Sequence, residues 1–184
     1  MKKTLILTTM IMMVLCTAPA VAKHFNVGIE AGCFGPRDSD FSDAYGSGGT
    51  TFGINAGYRF LENVSIQTGI DTYSANGTTA LSNERIGIDL KTWRIGSYYH
   101  FNLKKVMPKA GAGLSMVRVK EDDPFGGTQT TKTGWFVGTG MDVPLGKKFL
   151  AGFDLLYNDA KISGTFDNET IGGLSLLFNL KFQL

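Results

Sequence analysis

Eight charged residues recur at alternating positions among glycines and small polar residues: Glu30, Asp71, Asp142 and Asp154 as acids, and Arg59, Arg94, Lys109 and Lys181 as bases. Four acids against four bases in one confined space could do one of two things. They could neutralise one another in an ion-pair and hydrogen-bond network, because an unpaired charge out of water is costly. Or they could line a narrow path for ions. Acid–base or nucleophilic catalysis has few candidates, since His24 and His100 are the only histidines and a base must reach a nucleophile such as serine. Two runs are rich in carboxylates: DSDFSD, with Asp38, Asp40 and Asp43, and KEDD, with Glu121, Asp122 and Asp123. Such clusters can hold Ca²⁺ or Mg²⁺, but neither has the ligand order of a dedicated calcium loop, and both read as solvated acidic surface. No catalytic, cofactor-binding or metal-ligating residue is assigned.

The elements that must position the charged set alternate with period two. The stretches FNVGIEAGC (25–33), FGINAGYRF (52–60), VSIQTGIDT (64–72), WRIGSYYHF (93–101), KAGAGLSM (109–116), WFVGTGMDV (135–143), FLAGFDLLY (149–157) and LSLLFNLKFQL (174–184) each set an apolar row against glycines and polar groups. Every charge of the network falls on the polar row. Short turns fall at LEN (61–63), NLKKV (102–106) and PLGKK (144–148), whereas the other four connections are long and polar. Tight turns at one end and long loops at the other make an up-and-down meander, and eight such strands can close on themselves and leave no edge. One stretch breaks the parity: Ile86, Ile88 and Leu90 align with Arg94 rather than with Trp93. Either a bulge near Lys91 and Thr92 flips the register, or the stretch lies beyond the membrane edge.

The first residues do not belong to this pattern. A positive start (Lys2, Lys3), a short apolar run and a small-residue ending Ala20-Val21-Ala22 have the layout of a secretory signal peptide over 1–22, leaving one domain over 23–184. Lys2 and Lys3 leave with the signal and no acid does, so the formal net charge falls from +2 to zero, and no basic excess points to nucleic acid. Only Cys33 remains of the two cysteines, so no internal disulfide can staple the fold. No later apolar run is long enough for a transmembrane helix. The alternation suits a membrane barrel better than a soluble one. The polar row is poor in the exposed lysine and glutamate that a soluble surface carries. Aromatics gather near strand ends (Tyr58, Phe60, Tyr99, Phe101, Trp135, Phe149, Tyr157 and Phe182) as in an interfacial girdle. Strands of about nine to eleven residues also suit a tilted crossing of the hydrocarbon layer. The fold class expected is all-β, an eight-stranded antiparallel up-and-down transmembrane β-barrel with short turns in the periplasm.

On these segments the chain resembles the small eight-stranded outer-membrane β-barrel proteins of Gram-negative bacteria, the OmpA-barrel, OmpX and OmpW group. The resemblance implies the bacterial outer membrane, lipid and lipopolysaccharide as surroundings, and the barrel-assembly machinery and periplasmic chaperones as partners. It implies that the last strand, with Phe178, Leu180, Phe182 and Leu184, acts as an assembly signal; the family's usual final phenylalanine is Leu184 here. A monomer is expected, with no nucleic acid and with any extracellular ligand held through the loops. Two functional readings stay open. One is a closed structural or surface-interaction barrel that displays acidic loops, because eight strands leave a bore only wide enough for side chains to fill. The other is passage, either of ions along the charged row or of small hydrophobic molecules as the OmpW likeness implies. The second form needs an inner apolar pocket, for which Phe136, Leu156 and Leu177, with Ile86, Ile88 and Leu90, are the candidates. A more distant reading is lipid A modification, which in similar barrels uses a serine and a histidine at the outer rim. Here His100 is followed by Phe101 and Asn102, so the serine two residues on is missing, and both histidines fall near turn ends. Arg59, Lys109, Asp142 and Lys181 are expected as a layer near the periplasm, and Glu30, Arg94 and Asp154 nearer mid-height.

Overall fold

A computed structural model of the chain describes residues 24–78, 85–103, 105–122, 127–161 and 170–184. The segment 1–22, expected as a signal peptide, the loop residue Asp123 and most of the last long loop lie outside the described residues. Eight strands follow in order: β1 (His24–Pro36), β2 (Gly49–Leu61), β3 (Val64–Thr78), β4 (Arg85–His100), β5 (Met107–Asp122), β6 (Thr128–Pro144), β7 (Phe149–Lys161) and β8 (Thr170–Gln183). A short helix, α1 (Ser39–Tyr45), stands between β1 and β2. Each strand pairs antiparallel with its neighbour in sequence, and β8 returns to β1 with Val27 opposite Phe182, so the barrel is closed.

The strands run from 13 to 17 residues, longer than the roughly nine to eleven needed for a tilted crossing. The surplus lies at the loop end. Residues 74–78, 120–122, 128–132 and 158–161, which read as loop, continue the ladders: Gly77 faces Ile86, Glu121 faces Thr128 and Ala160 faces Ile171. The wall therefore rises above the bilayer on that side, as a soluble barrel would.

This explains the parity exception, and it corrects one expectation. β4 pairs with both neighbours in unbroken register through Lys91 and Thr92, so there is no bulge there. Ile88 and Leu90 point inward without one, and are buried with Tyr73, Val117, Val119 and Ala160. Their neighbours Asp89 and Lys91 are exposed on the outer side. Below Trp93 the outside of the wall meets hydrocarbon and is apolar; above it the outside meets water, so polarity inverts while the strand continues. The register shift that does occur lies in β2, between Arg59 and Leu61 at the turn.

On the membrane-facing side Ile29, Phe52, Ile54, Leu114 and Phe178 are each about six-tenths exposed, a surface that only lipid can cover. Aromatic pairs mark its two borders. Tyr99–Phe101 and Phe149–Phe182, with ring centroids 5.0 and 5.3 Å apart, stand near the turns. Trp135–Tyr157, at 5.7 Å, stands near the loops.

Helix α1 was not legible as a helix in its acidic run. Asp38 caps it: its Oδ1 accepts from the Phe41 amide at 3.2 Å, and its carbonyl accepts from the Ser42 amide at 3.1 Å. Gly46, with φ of 89°, ends it in the left-handed region that glycine tolerates. Phe41 and Tyr45 pack against the apolar cluster at the barrel mouth. The Tyr45 hydroxyl donates to Glu121 on β5. The helix therefore sits across the outer opening.

Candidate functional site

The inward row of every strand converges on the lumen, and the charged residues there fall into two groups. On β4, Arg94 lies between two acids: its Nη2 is 2.7 Å from Glu30 Oε1 on β1, and its Nη1 is 2.6 Å from Asp71 Oδ2 on β3. Asn55 on β2 donates to the second oxygen of Glu30 at 2.8 Å. One guanidinium thus ties β1, β3 and β4 across the bore, and its planar fork can serve two carboxylates at once.

The second group lies nearer the turns. Lys109 Nζ stands 2.8 Å from Asp154 and 3.3 Å from Asp142, and Lys181 Nζ is 3.0 Å from Asp142. Asn179 donates to Asp154 at 2.8 Å. Four charges from β5, β6, β7 and β8 therefore balance in one layer, with Lys109 only 1% exposed. Asp154, expected at mid-height with Glu30 and Arg94, bonds into this lower layer. Its side chain still borders the small space beside Arg94, so it joins the two groups.

Arg59, expected with Lys109, Asp142 and Lys181 in a layer near the periplasm, lies at the turn end opposite His24 and contacts His100 and Met107 there. Its Nη2 is 3.3 Å from His100 Nδ1, and its nitrogens lie 3.9 Å from Met107 Sδ. His100 Nε2 is 2.8 Å from Ser65 Oγ, and both residues are buried. This serine–histidine contact was missed in the sequence, although the register of β3 on β4 predicts it once Ser65 is placed opposite Tyr98. It does not have the arrangement of a nucleophile and its base. A guanidinium can only donate, so Nδ1 accepts and the ring hydrogen sits on Nε2, where it is donated to Ser65. A base would need the reverse. The pair also lies inside the lumen near the turns, away from the lipid-facing outer rim.

Between the charged groups the bore is filled by apolar side chains. Tyr98, Phe136, Leu156 and Leu177 form one buried cluster. Glycines make room for it: a Cβ at Gly96 would lie 2.6 Å from Phe136 Cζ, and one at Gly113 2.7 Å from its Cε1. The outer cluster of Tyr73, Ile88, Leu90, Val117, Val119 and Ala160 closes the mouth beneath α1. Two small cavities of about 20 Å³ lie within the lumen, one beside Arg94 and Phe136 and one under Tyr73 and Phe34. Each has room for about one water. Of the C-terminal set, Phe178, Leu180 and Leu184 are exposed on the lipid side, and Phe182 packs on Phe149. His24 begins β1 opposite Arg59. Among the described residues no group of His, Cys, Asp or Glu is arranged to hold a metal ion.

A closed antiparallel barrel with a lipid-facing apolar belt, two aromatic borders and a polar, charge-balanced interior defines an integral β-barrel of the outer membrane. Residues 7–182 match the family model described as outer membrane protein beta-barrel domain, and the chain belongs to that family. Among solved structures it is similar to Neisserial surface protein A, with a TM-score of 0.68 and 20% identity over 87% of this chain and 97% of that one. OprG of Pseudomonas aeruginosa gives 0.66 and 12% over 89% and 96%. Outer membrane protein W of E. coli gives 0.55 and 12% over 90% and 100%. No curated protein sequence matches the chain.

Proposed function

We propose that this protein is a closed barrel without turnover, which holds a patterned outer surface in the membrane and acts through its loops and rim. The observation that carries this reading is what occupies the lumen: an arginine bridging two acids, a lysine–aspartate layer and two buried apolar clusters span the bore, with cavities of single-water size among them. The α1 helix adds a cover at the mouth. Lipopolysaccharide surrounds the outer leaflet part of the belt, and any extracellular ligand is held by the loops. The barrel-assembly machinery and periplasmic chaperones deliver the chain, reading the lipid-facing Phe178, Leu180, Phe182 and Leu184. It works as a monomer.

The test is single-channel recording of the refolded protein in a planar bilayer, with a heat-shift gel to establish that the barrel is folded. Folded protein is expected to be silent. Discrete openings would overturn the closed-barrel reading and favour an ion path past Arg94. The second reading, passage of small hydrophobic molecules, is favoured by one observation, the apolar mouth formed by Tyr73, Leu90 and Val117. It requires α1 to leave that mouth. Tying α1 to β5 with a bis-maleimide cross-linker through Tyr45→Cys and Glu121→Cys, with the exposed Cys33 changed to Ser because the span is too long for a direct disulfide, should leave the proposed function intact and abolish passage.

A further inference from the structure

The two ends of the barrel differ in charge, and the turn end carries a repeated device. The turn between β4 and β5 contains Leu103, Lys104 and Lys105; the turn between β6 and β7 contains Leu145, Gly146, Lys147 and Lys148. Against these four lysines the three turns hold one acid, Glu62, in the turn between β2 and β3. In both lysine turns a leucine precedes the pair and stands in the open, Leu103 at 59% and Leu145 at 53% exposure. Both leucines are fixed there by hydrogen bonds. The Leu103 amide donates to the carbonyls of Phe101 and Val106 at 3.0 and 3.2 Å, and the Leu145 amide donates to Phe149 at 2.8 Å. Lys105, Lys147 and Lys148 are exposed.

The two turns are neighbours, because β5 pairs with β6, so Lys105, Lys147 and Lys148 form one arc of the rim. The same arc borders the lipid-facing aromatic belt. Exposed Tyr99 and Phe101 flank the first turn, and Phe149 and Phe182 flank the second. Lys148 Nζ lies over the Phe182 ring, 5.7 Å from its centroid, which places a charge at the edge of the hydrocarbon with its stem along an aromatic face. An apolar tip beside a cation at that depth matches a phospholipid, with acyl chains for the leucine and a phosphodiester for the ammonium group. Water alone would serve the lysines and not the leucines.

We propose that this arc, formed by Leu103, Lys105, Leu145, Lys147 and Lys148, is a binding surface for anionic phospholipid headgroups in the periplasmic leaflet of the outer membrane. It selects lipids bearing a net negative phosphodiester over zwitterionic ones, and it fixes the depth and tilt of the barrel on that side. The site does not depend on the lumen being closed, and its test reads lipid rather than conductance.

The experiment places the refolded protein in phosphatidylcholine vesicles containing either spin-labelled phosphatidylglycerol or spin-labelled phosphatidylcholine, and measures the immobilised boundary fraction of each. Phosphatidylglycerol is expected to be preferred about twofold or more, with the preference falling towards one in molar salt as the charges are screened. The variant K105Q/K147Q/K148Q, shown to be folded by its heat shift, is expected to lose the preference. The variant K91Q/K120Q, with its changes at the loop end, is expected to keep it. Equal boundary fractions in the unmodified protein, or a preference that survives K105Q/K147Q/K148Q, would overturn the proposal. Absence of lipid selectivity with salt-sensitive cosedimentation on peptidoglycan would assign the lysines to glycan carboxylates instead. Should K105Q/K147Q/K148Q fail to fold, the salt titration of the unmodified protein decides alone.

Discussion

Arg94 shows how one residue can govern the interior. It pairs with Glu30 and Asp71 together, at 2.7 and 2.6 Å, in a space away from bulk water. Removing one member of such a set leaves uncompensated buried charge, which costs about 3–5 kcal/mol. Arg94→Met is therefore expected to lower the unfolding free energy in lipid by that amount, read as a fall in the urea midpoint of the heat-shifted band. Combining it with Glu30→Gln and Asp71→Asn should recover most of the loss, because the three groups are then neutral. A combined variant no better than Arg94→Met would show that packing, not charge, sets the cost. A second single-residue effect follows from Phe136. At Gly113 a Cβ would stand 2.1 Å from the Ile95 carbonyl oxygen and 2.7 Å from the Phe136 ring. Gly113→Ala is expected to cost about 1–3 kcal/mol by overpacking in the same urea measurement, and pairing it with Phe136→Leu should relieve only the ring's share.

Among the elements, α1 and β4 carry the main lessons. The cap at Asp38 is worth about 1 kcal/mol, so Asp38→Ala should increase limited proteolysis of the 37–46 segment about fivefold without moving the barrel's unfolding midpoint. Unchanged cleavage would mean that Phe41 and Tyr45, seated on the mouth, hold the segment by themselves. The strands below Trp93 were legible because lipid outside and charge inside impose strict alternation. β4 above that point was not, because the same strand meets water there and its apolar parity reverses; a reader of sequence alone sees either a bulge or an edge. Helix α1 was hidden because seven residues give too little periodicity against a carboxylate-rich background. The inward placement of all eight charged candidates followed from parity. Their partners did not, because stagger between strands decides that Asp154 meets Lys109 and that Arg59 meets His100 and Met107.

Taken as a whole, the molecule joins a membrane barrel near the turns to a water-type barrel near the loops, with one continuous set of ladders running through both. Because Gly77 still pairs with Ile86, Glu121 with Thr128 and Ala160 with Ile171, the fold depends little on the segments 79–84, 123–126 and 162–169. Replacing all three with short turns shortens the closures, and the associated entropy grows only with the logarithm of length, so stability should change by no more than about 1 kcal/mol. Trimmed protein is therefore expected to give the same heat shift, the same silence in a planar bilayer and the same amount in the outer membrane. If the loops are the working part, a strain carrying the trimmed barrel should lose whatever surface binding or serum survival the full barrel confers. Were that phenotype retained, the activity would have to lie in what the trimmed barrel keeps: the α1-covered mouth, the lumen or the lysine-bearing rim. Arg94→Met, Asp38→Ala and K105Q/K147Q/K148Q would then separate those three sites, since each alters one of them and leaves the other two as they were.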